Sequence, residues 1–67
     1  MKQPVRIKKR DTTFKVRPGM NLGSALKKLD ILPETILATR KGAMILEDEI
    51  LHEGDTIILI DVISGGR

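Results

Sequence analysis

The sequence predicts an α+β fold, a mixed sheet of four to five strands with one helix packed across it. Three observations predict it. Two short stretches of alternating apolar and polar residues open the chain, and a single stretch of helical period follows them. The run richest in β-branched residues, Thr56 to Ile63, comes last rather than beside the opening pair.

The elements follow in order. From Pro4 to Arg10, Val5 and Ile7 point one way and Arg6 and Lys8 the other, the pattern of a strand with one wet face. Lys9-Arg10-Asp11-Thr12 interrupts the rhythm, after which Phe14 and Val16 alternate with Lys15 and Arg17. Two adjacent runs of this kind predict a hairpin, although no Asn-Gly or Asp-Gly fixes its turn type. Pro18-Gly19 stops the second strand. Leu22, Ala25, Leu26 and Leu29 then fall at i, i+3, i+4 and i+7, the apolar stripe of a short helix. Asn21 is placed to cap its start, and Lys27 and Lys28 complement the dipole at its end. Gly23 in the first turn costs roughly 1 kcal/mol relative to alanine, so the helix leans on packing against the sheet.

Leu32-Pro33-Glu34 is the exit loop, and Thr35 to Thr39 has the mixed pattern of a sheet strand. Lys41-Gly42 marks a turn, Met44 to Leu46 a short return, Glu47-Asp48-Glu49 an acidic loop and Glu53-Gly54-Asp55 another turn. Thr56 to Ile63 is apolar at consecutive positions, which predicts a strand buried on both sides in the middle of a sheet. An early hairpin, one helix and a late central strand are satisfied together if the last strand inserts beside the first and parallel to it. That arrangement is the ubiquitin-like β-grasp. Residues 1–63 are expected to form this single domain, and 64–67 a flexible tail.

Composition narrows the function. There is no cysteine, tryptophan or tyrosine, and the one histidine, His52, sits just before a turn. Thiol nucleophiles, cysteine metal cages and paired histidine acid–base chemistry are therefore ruled out, a Ser-His-Asp triad on the lone His52 is disfavoured, and no metal site is expected. A chain of 67 residues hides only about 60% of its unfolded surface, which leaves little room for a buried catalytic centre. The longest apolar run, Ile57 to Ile60, is too short to span a bilayer, and Met1-Lys2-Gln3-Pro4 lacks the apolar core of a signal peptide. A soluble, cytoplasmic monomer is the expectation.

The formal net charge of +3 is unevenly spread. Residues 1–28 hold nine of the twelve Lys and Arg residues and a single acid, Asp11; residues 29–67 hold the other eight acids. Arg6, Lys8 and Arg10 are the basic candidates for docking an acidic patch on a partner. Leu37, Met44 and Leu59 are the apolar candidates on the sheet face opposite the helix. Met20 and Met44 also read as core fillers. The Glu47-Asp48-Glu49 cluster lacks the Gly or Asn spacing of a calcium loop and reads as solvated. With only Phe14 among the basic residues, nucleic-acid binding is disfavoured.

Several stretches carry a resemblance. Leu32-Pro33-Glu34-Thr35-Ile36-Leu37-Ala38, Arg40-Lys41-Gly42, the segment from Glu47-Asp48 to Glu53-Gly54-Asp55, and the terminus Asp61-Val62-Ile63-Ser64-Gly65-Gly66 resemble the ubiquitin-like sulfur carriers. These are the carrier of thiamine synthesis, the small subunit of molybdopterin synthase and the carriers of tRNA thiolation. The resemblance implies a protein that is not itself an enzyme and binds no cofactor. An E1-like partner would use ATP to adenylate the Gly66 carboxylate. A sulfur donor such as a cysteine desulfurase or rhodanese would convert it to a thiocarboxylate, and a downstream sulfur-accepting enzyme would consume it. The residues suit that chemistry: a tail of Ser64, Gly65 and Gly66 has little to clash in a narrow channel. Five residues from Val62 to Gly66 reach roughly 16 Å when extended.

Arg67 departs from the family pattern, which ends on the second glycine. While Arg67 is attached, the Gly66 carbonyl is locked in a peptide bond. A precursor trimmed by a peptidase, an expression remnant and a protein that has left this chemistry are the three readings, the first being favoured. Two rival functions remain: a modifier joined through Gly66 to target lysines, and a β-grasp RNA-binding module using the basic hairpin.

Overall fold

The computed structural model describes residues 3–62. Five strands and one α-helix follow the expected order: β1 Val5–Lys9, β2 Thr12–Val16, α1 Leu22–Lys28, a 3-10 turn Pro33–Thr35, β3 Ile36–Arg40, β4 Ala43–Ile45 and β5 Thr56–Asp61. The sheet order is β2-β1-β5-β3-β4. β5 runs parallel to β1, with Ile7 opposite Ile57 and Lys9 opposite Leu59, and antiparallel to β3. This is a β-grasp, with the last strand inserted at the centre. The expected boundary between a domain at 1–63 and a tail at 64–67 lies outside the described residues.

The core is the inner face of this sheet against α1. Val5 and Ile7 of β1, Val16 of β2, Ile36 and Ala38 of β3, and Ile57 and Leu59 of β5 are buried with Leu22, Ala25 and Leu26 of the helix. Ile31 and Leu51 complete the cluster, and Phe14, Met20, Leu29 and Ile45 pack at its margin. The helix starts as its sequence dictates: the Asn21 side chain accepts the Ser24 N–H at 2.8 Å, satisfying one donor that the first turn leaves open.

Gly23 has a tertiary reason. Its N–H donates to the Glu47 carbonyl at 2.8 Å, beside a second clasp from the Leu22 N–H to the Glu49 carbonyl at 2.9 Å. A Cβ on Gly23 would lie 3.3 Å from the Glu47 Cβ. The acidic loop therefore approaches the helix more closely than a larger residue would comfortably allow. The β3–β4 turn is built from Lys41 at φ 54° and Gly42 at φ 81°, two consecutive positive φ values that suit a two-residue hairpin.

Three expectations need correction. β5 is central but buried on one face only: Ile57 is fully buried, whereas Ile58 and Ile60 are each 48% exposed. One seven-residue helix covers one side of the sheet and leaves the other open. Leu59, expected on the outer face, shares the inner parity of Ile57 and lies in the core, 4% exposed. Met44 is 63% exposed and fills no core, because opposite Thr39 it stands on the outer side of a three-residue edge strand.

Candidate functional site

β5 ends at Asp61, four residues before Gly65 in the sequence, and local contacts fix that point on both sides. The Val62 N–H donates to the Thr35 carbonyl at 3.0 Å. Thr35 is itself held by the 3-10 turn, its N–H and its hydroxyl both donating to the Leu32 carbonyl, at 3.1 and 2.7 Å. Pro33 fixes the start of that turn. On the other side, the Asp61 carboxylate accepts from the Arg10 Nε at 2.6 Å, and the Lys9 ammonium stands 3.9 Å away. The hairpin tip from the basic part of the chain thus grips the acidic last residue of β5. Part of the charge asymmetry is spent inside the fold.

Beside this root lies the outer face of the sheet. The register sets Thr13, Lys8, Ile58, Thr39 and Met44 in one row across all five strands, with Leu37 opposite Ile60 in the next. Leu37, Met44, Ile58 and Ile60 are 43%, 63%, 48% and 48% exposed and form an apolar half on β5, β3 and β4. Arg6 and Lys8 on β1, with Lys15 on β2, are exposed and form a basic half. Four large apolar side chains on one face are more than scattered surface exposure and make this face a candidate contact area.

Of the sequence-derived docking candidates, Arg6, Lys8, Leu37 and Met44 therefore share this face. Arg10 stands at its edge, engaged with Asp61, and Leu59 lies beneath it. Ile58 and Ile60 are the residues missed; a four-residue apolar run hides the alternation that would have assigned them. Ser64, Gly65, Gly66 and Arg67 lie outside the described residues.

A charged cluster at the far side of the sheet also escaped the sequence reading. The Arg40 guanidinium donates to Glu49 at 2.6 Å, to Asp55 at 3.2 Å and to the Ile50 carbonyl at 3.1 Å. The hydrogen bond that Arg40 donates to Glu49 raises the Arg40 pKa above its ordinary value; burial opposes the rise and the charge of Asp55 adds to it. Asp55 also accepts the His52 N–H at 2.9 Å, so the acidic loop and the turn before β5 are tied through one side chain. Among the described residues, no three His, Cys, Asp or Glu side chains come together as a metal site.

The comparisons fit this architecture. The model of the ThiS family matches residues 1–66. The chain belongs to the ThiS family, the ubiquitin-like sulfur carriers. Solved structures agree on the fold. The ubiquitin of Caldiarchaeum subterraneum superposes with a TM-score of 0.67 at 21% identity, covering 98% of this chain and 100% of that one. The N-terminal ubiquitin-like domain of the 4931431F19Rik protein gives a TM-score of 0.67 at 16% identity, covering 98% of this chain and 80% of that one. For a ThiS-family chain, the strand end at Asp61–Val62 and the open sheet face beside it are the natural candidate site. Among the described residues no helix is long and apolar enough to cross a membrane.

Proposed function

We propose that this chain is a sulfur carrier whose reacting group is the carboxylate of Gly66. The observation that carries the reading is the family match running from residue 1 through Gly66. In the proposed sequence an E1-like enzyme binds the carrier. A Gly66 carboxylate oxygen attacks the α-phosphorus of ATP, and pyrophosphate leaves. The outer sulfur of a donor persulfide then attacks the acyl-adenylate carbonyl and AMP leaves. A thiol reductant cleaves the resulting acyl disulfide, being itself oxidised to a disulfide with the donor thiol released, and a thiocarboxylate remains for a sulfur-accepting enzyme. Every catalytic group in this scheme belongs to a partner, so the chain serves as a protein substrate.

Its own residues supply placement. The bond from Val62 to Thr35 and the pairing of Asp61 with Arg10 support a tail that departs from a fixed point. The partner can then locate Gly66 by gripping the sheet. Leu37, Met44, Ile58 and Ile60 offer the apolar contact, while Arg6 and Lys8 offer charge for an acidic rim. In a chain that continues to Arg67, the peptide bond leaves Gly66 without a free carboxylate, and a peptidase has to act first.

Intact mass spectrometry of the protein from its own cells tests this. A terminus at Gly66 with a gain of about 16 Da, oxygen replaced by sulfur in acyl substitution, is the expected result. Covalent conjugates to target lysines without a thiocarboxylate would make it a modifier. A chain that retains Arg67 and is never modified would overturn the carrier reading.

A further inference from the structure

The sheet has two edges, and they differ. β4 is a three-residue edge strand, whereas β2 at the opposite edge has five residues. The Arg6 N–H donates at 2.9 Å to the Asp55 carbonyl, on the β5 side. Its backbone therefore turns away from β2. In an antiparallel ladder the residue opposite, Lys15, turns its own N–H and C=O outward as well. Thr13, two residues earlier, does the same. Both present a donor and an acceptor to the open edge.

A groove runs beside this edge, between the end of β2 and the end of α1. Val16, Pro18 and Leu29 give it apolar walls, and among the described residues the charged ones lining it are all cations: Lys15, Arg17 and Lys28. None of the three is ion-paired with another described residue. Val16 pairs with Val5 at the start of β1, while the root of the tail lies beyond the other end of β1, next to Lys9 and Arg10. The groove and the tail root are at opposite ends of the sheet.

We propose that the β2 edge and this groove are a second docking surface, which takes an extended acidic and apolar segment of a partner protein as an added strand. Main-chain bonds to Thr13 and Lys15 supply the pairing, and alternate apolar side chains of the segment enter the groove. Its acids meet Lys15, Arg17 and Lys28. A second copy of this chain is a poor occupant, since edge-to-edge pairing of two β2 strands would set cation against cation. Because this surface is remote from the tail root, a partner held here leaves Gly66 free to enter another enzyme.

The test is a titration of the full 15N-labelled chain with the synthetic peptide Asp-Val-Ile-Val-Asp-Asp-Glu, followed by NMR. The expected result is saturable shifts at the Thr13, Lys15 and Arg17 amides, with slowed exchange at Thr13 and Lys15. The double charge reversal K15E/R17E should weaken binding tenfold or more. Thr13→Pro removes one outward N–H and leaves the β1 ladder intact, so it should weaken binding about fivefold, the value of one hydrogen bond. Should Thr13→Pro unfold the hairpin, Lys28→Glu on the exposed helix surface decides in its place, again by weakening. Shifts confined to Leu37 and Ile58, equal binding by a peptide with lysines for its acids, or indifference to K15E/R17E would overturn the proposal. So would a single-stranded oligonucleotide moving these amides while the peptide leaves them unchanged.

Discussion

Ile57 and Ile58 are neighbours on the central strand, and alanine at each should have very different consequences. Ile57 is fully buried between the sheet and the helix. Its replacement removes three carbons, about 2.4 kcal/mol of transfer free energy at roughly 0.8 kcal/mol per carbon. The unfilled cavity takes the loss into the range of about 2–5 kcal/mol. Ile58 is 48% exposed, so about half of its transfer term applies and no cavity forms, a loss of roughly 1 kcal/mol. For 67 residues the whole stability is on the order of 3–10 kcal/mol. Ile57→Ala should therefore leave a marginal fold, and Ile58→Ala a sound one. Urea unfolding followed by far-ultraviolet circular dichroism measures both. The corresponding fall in melting temperature is about 4–8 °C per kcal/mol in a domain of this size. Under the proposed function, adenylation of the chain ending at Gly66 by an E1-like enzyme should reverse the ranking per folded molecule, with Ile58→Ala raising KM and Ile57→Ala leaving it near normal. Equal stability losses at the two positions would refute the one-sided sheet and, with it, the open apolar face.

Other outcomes follow from single contacts. Gly42→Ala puts a Cβ on a residue at φ 81° and should cost about 1 kcal/mol, read as a lower urea midpoint with an unchanged slope. Asn21→Ala removes the helix cap and should cost about 1 kcal/mol by the same measurement. A double-mutant cycle on Arg10→Ala and Asp61→Asn should return a coupling of only about 0.2–1 kcal/mol, shrinking in high salt, because the pair is solvent-exposed. Arg40→Ala should lower thermal stability more than Arg10→Ala does, since Arg40 joins three partners and Arg10 one.

Much of the fold was legible because its signals are local. Alternation at Val5, Arg6, Ile7 and Lys8, the stripe at Leu22, Ala25, Leu26 and Leu29, and the turn residues at Lys41-Gly42 each report on a few adjacent residues. Each was met by the expected element. The insertion of β5 beside β1 was also foreseeable, since a β-rich run arriving last fits an open position in the middle of the sheet. Gly23 was legible only as a cost to the helix; the approach of Glu47 involves a residue far along the chain.

The outer face was the part that the residues alone left undecided. Ile57, Ile58, Leu59 and Ile60 are equally apolar, so no period of two distinguishes the residues that pack from those that face solvent. The sequence by itself determined the kinds and order of elements and the capping of the helix, and it supplies the Gly65-Gly66 pair on which the proposed function rests. Only the tertiary structure decided that Ile57 and Leu59 are core while Ile58 and Ile60 are surface, and that Arg40 gathers Glu49 and Asp55. Local order follows from neighbours in the chain, but burial follows from what lies above and below the sheet, and here a single helix covers one side of it.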